Sequence, residues 1–198
     1  MSVPVSNFKI RPATLTDADE LCLLYAYYVE HSAASFEWVA PDAGIFQSRM
    51  EKILQCYPYL VIESEKRLLG YAYASALNER KAYAWSAEMS IYIDKDARKK
   101  GLGRRLYMTL EDLLIAQGIH NVYACIAYSE QEDEYLTHAS VHFHERLGFS
   151  RAGLFHSCGY KFGRWYDIIW MNKRIAPSSA QPHELRAPGT VLSHPKSR

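Results

Sequence analysis

Five basic side chains crowd around two glycines in Arg98-Lys-Lys-Gly101-Leu-Gly103-Arg-Arg-Leu106. The stretch sits between a run ending near Ile93 that reads as a strand and an amphipathic run that reads as a helix. The start of a helix binds anions, because its first N–H groups have no helical acceptor and carry partial positive charge. Glycine there lets the backbone approach a phosphate closely, and Arg98, Lys99, Lys100, Arg104 and Arg105 add side-chain charge. A pyrophosphate would fit. The letters exclude two other phosphate motifs: a dinucleotide fingerprint needs a third glycine where Leu106 stands, and no GxxxxGK[ST] occurs. Spacing alone leaves a solvated basic helix start as the alternative.

Other reactive residues are less specific. His138, His142 and Glu145 can share one face of a helix, which raises a metal-dependent hydrolase as a rival class, although no HExxH occurs. Cys22, Cys56, Cys125 and Cys158 lie far apart without CxxC spacing and read as buried thiols. The basic loop is local and lacks interleaved aromatic residues, so it does not predict nucleic-acid binding.

The elements that position the basic loop follow from periodicity. Phe8 to Pro12 reads as a short strand, and Thr16 with Asp19 as the cap of a helix that buries Leu21, Leu24, Tyr25 and Tyr28. Phe46, Met50, Ile53 and Tyr57 mark a second helix ended by Pro58. Tyr59–Glu63 and Leu69–Ala74 flank the charged turn Glu65-Lys-Arg67 as a hairpin, and Ala87 to Ile93 is the strand that enters the basic loop. Leu102, Leu106, Leu110 and Leu113 place a helix closed by Gly118. Asn121 to Ala127 reads as a strand, Ser140 to Leu147 as a short helix and Tyr166 to Asn172 as a last strand. The expected class is α/β, or α+β mixed: a central sheet with helices on both faces.

The 198 residues, 48% hydrophobic with 23 basic and 22 acidic side chains, suit one soluble domain over 1–175. The segment 176–198, with four prolines and few large apolar residues, is expected to lie outside the core and be mobile. No apolar run follows a basic start, and no window approaches the roughly 18 apolar residues of a membrane span, so a cytoplasmic location without membrane contact is expected.

Strand, then Arg-x-x-Gly-x-Gly, then helix resembles the acetyl-CoA pyrophosphate motif of the GNAT N-acetyltransferase superfamily. The resemblance runs from about Phe8 to Arg174 and is nearest the phosphinothricin and methionine sulfoximine or sulfone acetyltransferases. Ile10-Arg-Pro-Ala13, Tyr83-Ala-Trp-Ser-Ala-Glu88, Gly101-Leu-Gly-Arg-Arg-Leu-Tyr107, His144-Glu-Arg-Leu-Gly-Phe149 and Gly159-Tyr-Lys-Phe-Gly-Arg-Trp-Tyr-Asp167 carry it. It implies a GNAT fold with a mostly antiparallel sheet, acetyl-CoA as cosubstrate, no metal, a small-molecule amine acceptor and a homodimer.

The resemblance also assigns roles. Only a neutral amine attacks a thioester, so a base is needed, and Glu88 matches the catalytic glutamate. His144 matches the position of the group that either protonates the departing thiolate or orients the acceptor. A backbone N–H around Met89 to Ile91 matches the oxyanion donor. Ile91, Tyr92, Ile93, Leu102 and the glycine loop fall to the cofactor, and Phe36, Arg80, Tyr83 and Ser90 to the acceptor, with Arg80 able to pair with a carboxylate or phosphinate. Lys161 to Asp167 falls in the site or its dimer neighbourhood, or forms a plain hairpin.

Two departures stand out. Asn78 occupies the place of a lysine that helps hold the acceptor's anionic end, and Ser129 to His138 is an insertion where the family has a short loop with a cofactor-binding asparagine. The insertion is expected to alter acceptor size or cover the site. A noncatalytic acetyl-CoA-binding module, or an enzyme acting on a peptide N-terminus, a polyamine or an antibiotic, remains open at this stage.

Overall fold

The charged turn after the second helix places both Glu65 and Lys66 at positive φ, 50° and 68°. That is the geometry of a two-residue hairpin turn whose twist suits its strands, here β2 (Tyr59–Ser64) and β3 (Arg67–Ala76). The structure, a computed structural model, describes residues 8–177 and 182–192. β1 (Lys9–Pro12), β4 (Ser86–Ile93), β5 (Asn121–Tyr128), β6 (Ser150–Lys161) and β7 (Arg164–Arg174) complete one seven-stranded sheet. Its order is β1-β2-β3-β4-β5-β7-β6, and every neighbouring pair is antiparallel except β4 with β5.

Helices cover both faces, as the periodicity predicts. α1 (Ala18–His31) and α2 (Ala43–Cys56) bury Leu21, Tyr25, Phe46 and Met50 against Tyr59, Val61 and Tyr71. On the other face α3 (Leu102–Gln117) packs Leu102, Leu106, Leu110 and Leu114 against Leu60, Ile62, Ala72, Ala74, Ala87 and Met89. α4 (Ala139–Arg146) adds Val141 to that core.

The first cap lies two residues earlier than expected. Asp17, not Asp19, receives the Thr14 N–H at 2.8 Å, and a 3-10 turn, Leu15–Asp17, precedes α1. The reason is tertiary: Arg11 on β1 grips the same carboxylate at 2.7 and 2.8 Å and holds its pKa below the usual carboxylate value.

Two further expectations are corrected. Residues 182–192 do contribute to the core: α5 (Pro188–Leu192) buries Val191 against α3, Arg186 N–H donates to the Gln117 carbonyl, and Trp85 Nε1 donates to the His183 carbonyl at 2.7 Å. Among the cysteines only Cys22 is buried, while Cys56, Cys125 and Cys158 are exposed. β6 has no counterpart in the periodicity, because Ser150 to Cys158 is exposed throughout and two register shifts break its pairing with β7.

Gly70 marks a close approach between β3 and β4. A Cβ there would lie 2.5 Å from Ile93 Cδ1 and 2.8 Å from the Tyr92 carbonyl oxygen. Gly70→Ala is therefore expected to destabilise the fold by about 1–3 kcal/mol, the usual range for overpacking. A lower urea midpoint at unchanged slope checks this.

Candidate active site

β4 and β5 pair over three residues only, Ser86 with Asn121, Ala87 with Val122 and Glu88 with Tyr123, and then part. The groups that face the opening follow from strand parity. Ile93 exchanges both its backbone groups with the Tyr28 hydroxyl, accepting at 2.6 Å and donating at 3.1 Å, so they point away from β3. Ile91 and Met89, two and four residues earlier, turn theirs the same way. The Met89 carbonyl lies 3.2 Å from the Tyr107 hydroxyl, one of two acceptors that compete for its single proton. The Ile91 N–H and C=O face a gap in which no strand pairs with them.

The basic loop closes one end of this gap. Gly101 caps α3 in the left-handed region, φ 76°, and supplies no side-chain acceptor. The first helical bond runs from Arg105 N–H to the Gly101 carbonyl, so the amides of Leu102, Gly103 and Arg104 have no acceptor within the helix. A Cβ on Gly103 would meet Phe143, Ile91 and Ile93 at 3.4 to 3.6 Å, ordinary contact, so the fold does not itself require the missing side chain. The loop's cations divide. The Arg98 guanidinium lies 4.9 Å from the Tyr28 ring centre, and Lys100 donates to the Asp96 carbonyl at 3.0 Å. Lys99, Arg104 and Arg105 are exposed.

Glu88 stands where the strands part. It is half-buried, and among the described residues it has no hydrogen bond or ion pair, so burial raises its pKa above the ordinary 4.5. Burial raises the hydroxyls of Tyr73 and Tyr107, and the charge of Glu88 adds to both.

Across the gap, His144 is 3% exposed. Its Nδ1 lies 2.7 Å from the Ser140 carbonyl, which can only accept, so Nδ1 carries the proton. Burial lowers the ring's pKa from 6.5, which keeps it neutral and leaves Nε2 to accept from the Tyr107 hydroxyl at 3.0 Å. Tyr107 ends the Gly101–Tyr107 stretch that resembles the family, and no role follows for it from sequence.

The acceptor side is spread over several elements. Ser90 faces the Tyr73 hydroxyl, and Tyr92 stacks on Tyr71 at 5.2 Å, with Tyr25 and Tyr28 set edge-on. The Tyr25 hydroxyl joins Ser35 Oγ at 2.7 Å and donates to Glu37 at 3.0 Å, and Glu37 is held by Arg49 at 2.7 Å. Phe36 packs beside Tyr166 and against Gly159, where a Cβ would collide with its ring. Arg80 and Tyr83 lie on the β3–β4 connection, both exposed, and the Arg80 guanidinium has no partner among the described residues. Asn78 spends its side-chain oxygen on the Arg80 N–H at 3.0 Å, which fixes the turn that presents Arg80.

A family profile described as an acetyltransferase (GNAT) domain matches residues 10–170. The chain belongs to the GNAT acetyltransferases. It is 37% identical over 160 residues to the phosphinothricin N-acetyltransferase of Alcaligenes faecalis, covering 80% of this chain and 78% of that one. It is 31% identical over 175 residues to an L-methionine sulfoximine/L-methionine sulfone acetyltransferase of Pseudomonas paraeruginosa, covering 87% and 98%. The crystal structure of a GNAT superfamily phosphinothricin acetyltransferase from Sinorhizobium meliloti in complex with acetyl-CoA superposes with a TM-score of 0.81 at 31% identity, covering 90% and 94%. As a GNAT acetyltransferase the protein is an acetyl-CoA-dependent acyltransferase, and its unpartnered Ile91 backbone, free α3 amides and bare Gly103 fit that cosubstrate.

The metal-dependent rival does not stand beside the family. His138 Nε2 donates to the Ser129 carbonyl at 2.7 Å and its ring stacks on Tyr128, while Glu145 pairs with Arg151 at 3.3 Å. The insertion that carries His138 is a packed wall in this GNAT enzyme. The Tyr135 carbonyl accepts from Ala33 N–H, Asp133 from the Tyr166 hydroxyl, and Leu136 is buried with Ala33 and Tyr166.

Proposed function

We propose that this enzyme acetylates the amine of a small, anionic, amino-acid-like acceptor, with Glu88 as the base. The observation that carries the reading is the unpaired, half-buried carboxylate of Glu88 at the point where β4 and β5 part. The neutral amine nitrogen attacks the thioester carbonyl, the C–N bond forms, and Glu88 takes the proton the nitrogen sheds. The Ile91 N–H, which faces the gap without a strand partner, suits the oxyanion. As the C–S bond breaks, Tyr107 turns its hydroxyl from His144 to the thiolate. Burial raises Tyr107 well above 10, so it serves as a hydrogen-bond donor and the proton held by Glu88 balances the thiolate charge. His144, neutral with Nε2 as an acceptor, orients Tyr107.

The relatives' names support an amino-acid-like acceptor, and the unpartnered Arg80 supports an anionic one. With Asn78 committed to the turn, Arg80 faces one carboxylate without help, which favours methionine sulfone or sulfoximine over the more highly charged phosphinothricin. Acetyl-CoA-dependent thiol release with these three, ordinary amino acids, polyamines and short peptides tests the reading. Selective turnover of amino-acid-like acceptors is expected, and turnover confined to polyamines or peptides would overturn it.

The cofactor assignment has its own test. Gly103→Ala is expected to leave the melting temperature nearly unchanged while raising the acetyl-CoA KM at least about tenfold, an order of magnitude standing for roughly 1.4 kcal/mol of lost approach. A homodimer is the assembly we propose, because the outermost hairpin exposes Leu154, Phe155 and Trp165 at 42, 56 and 63%. Sedimentation equilibrium should give twice the chain mass; a monomer at assay concentration would contradict it.

A further inference from the structure

Twelve residues of β6 leave only two buried, Gly159 and Lys161. They lie two apart, so they share one side of the strand, and both serve the segment that leads from α1 into Phe36. Gly159 makes room for the Phe36 ring. Lys161 is 3% exposed, and its ammonium donates to the carbonyls of Val29 at 2.7 Å, Ser32 at 2.9 Å and Ser35 at 2.6 Å.

Three carbonyl acceptors require three N–H donors, which only the charged form of lysine has. The charge is held without an ion-pair partner among the described residues, and burial lowers its pKa from 10.5. A buried ammonium is costly unless its bonds are complete. Here the cost is offset by the last turn of α1, whose Val29 carbonyl lacks a helical donor and whose dipole favours a cation. Nothing in the chemistry of acyl transfer uses this group.

We infer that Lys161 is a positioning residue for acceptor binding: by tying the carbonyls of Val29, Ser32 and Ser35 into one knot it fixes the backbone that presents Phe36 to the acceptor. The knot extends inward. Ser35 Oγ meets the Tyr25 hydroxyl and accepts from the Glu37 N–H, so the Lys161 tie sets Phe36 and its neighbours together. The inference rests on the acceptor reading of Phe36.

A double-mutant cycle with Phe36→Ala tests it, reading the KM of the acceptor, the KM of acetyl-CoA and kcat separately. Lys161→Met is expected to raise the acceptor KM about tenfold and leave the acetyl-CoA KM within about twofold, as does Phe36→Ala, and the double variant to be little worse than Phe36→Ala alone. Lys161→Gln, which keeps two donors and carries no charge into the interior, runs the same cycle with a smaller rise and covers failure of the methionine variant to fold. Effects that multiply in the double variant, or equal losses in both KM values, would overturn the inference. A wild-type enzyme that acetylates no amino-acid-like acceptor overturns the acceptor reading itself; turnover with an additive cycle overturns only the role of Lys161.

Discussion

Glu88→Gln is expected to lower kcat by about 10²–10⁴, the usual contribution of a positioned general base, and to leave the acetyl-CoA KM almost unchanged. The amide matches the carboxylate in size but cannot take a proton. The pH profile separates this from loss of structure. For the wild type, kcat/KM is expected to rise with pH as Glu88 ionises, at a pKa that burial has lifted above 4.5. The variant loses that limb and keeps only the rise due to the acceptor amine. Stability moves the other way. An acid whose folded pKa is raised contributes stability below its unfolded pKa and loses it as pH rises through the folded one, so at neutral pH ionised Glu88 disfavours the fold. Glu88→Gln should therefore melt no lower than the wild type at pH 7. Turnover that survives across pH would remove Glu88 from the role of base.

Tyr107→Phe is the second large effect. The ring stays packed near Phe143 and Phe149, but the hydroxyl is lost to both the Met89 carbonyl and His144 Nε2. We expect kcat to fall on the order of 10–10²-fold, somewhat less than for loss of a full oxyanion donor. The stranded His144 Nε2 should cost about 1–3 kcal/mol of stability as an unsatisfied buried acceptor. His144→Ala combined with Tyr107→Phe should be little slower than Tyr107→Phe alone, because the histidine acts through the tyrosine. Single-turnover thiol release reads both. A Tyr107→Phe enzyme with unchanged kcat would return the leaving-group role to His144 or to solvent.

Local pattern is what makes the basic glycine loop legible. Two glycines and five cations at a strand-to-helix junction are readable from letters, and Gly101 and Gly118 stand at the two ends of α3 as the periodicity placed them. The gap that gives the loop its purpose is not local: it depends on β4 and β5 pairing over three residues and then diverging, which no run of side chains announces. Lys161 reads either as part of the site or its dimer neighbourhood or as part of a plain hairpin, and its buried knot is not legible because the three acceptors lie 126 to 132 residues earlier in the chain. Tyr107 has no role that its neighbours in sequence announce, and only the fold aims its hydroxyl at His144. Residues 182–192 seemed too poor in apolar side chains to dock, yet one buried valine and a few backbone and indole bonds suffice for a short strap. The insertion is legible only against the short loop of the resembling family, and its packing follows from Leu136 and Asp133 finding partners on α1's exit and on β7.

The most direct measurement compares thiol release with methionine sulfone and with its decarboxylated amine, the product of each identified by mass. An acetyl group on the amine nitrogen of methionine sulfone, with kcat/KM at least about 100-fold above the decarboxylated compound, is the predicted result, since each tenfold corresponds to roughly 1.4 kcal/mol and a paired carboxylate at Arg80 is worth about two such steps. Equal rates for the two amines, or acetylation of neither, would contradict the account.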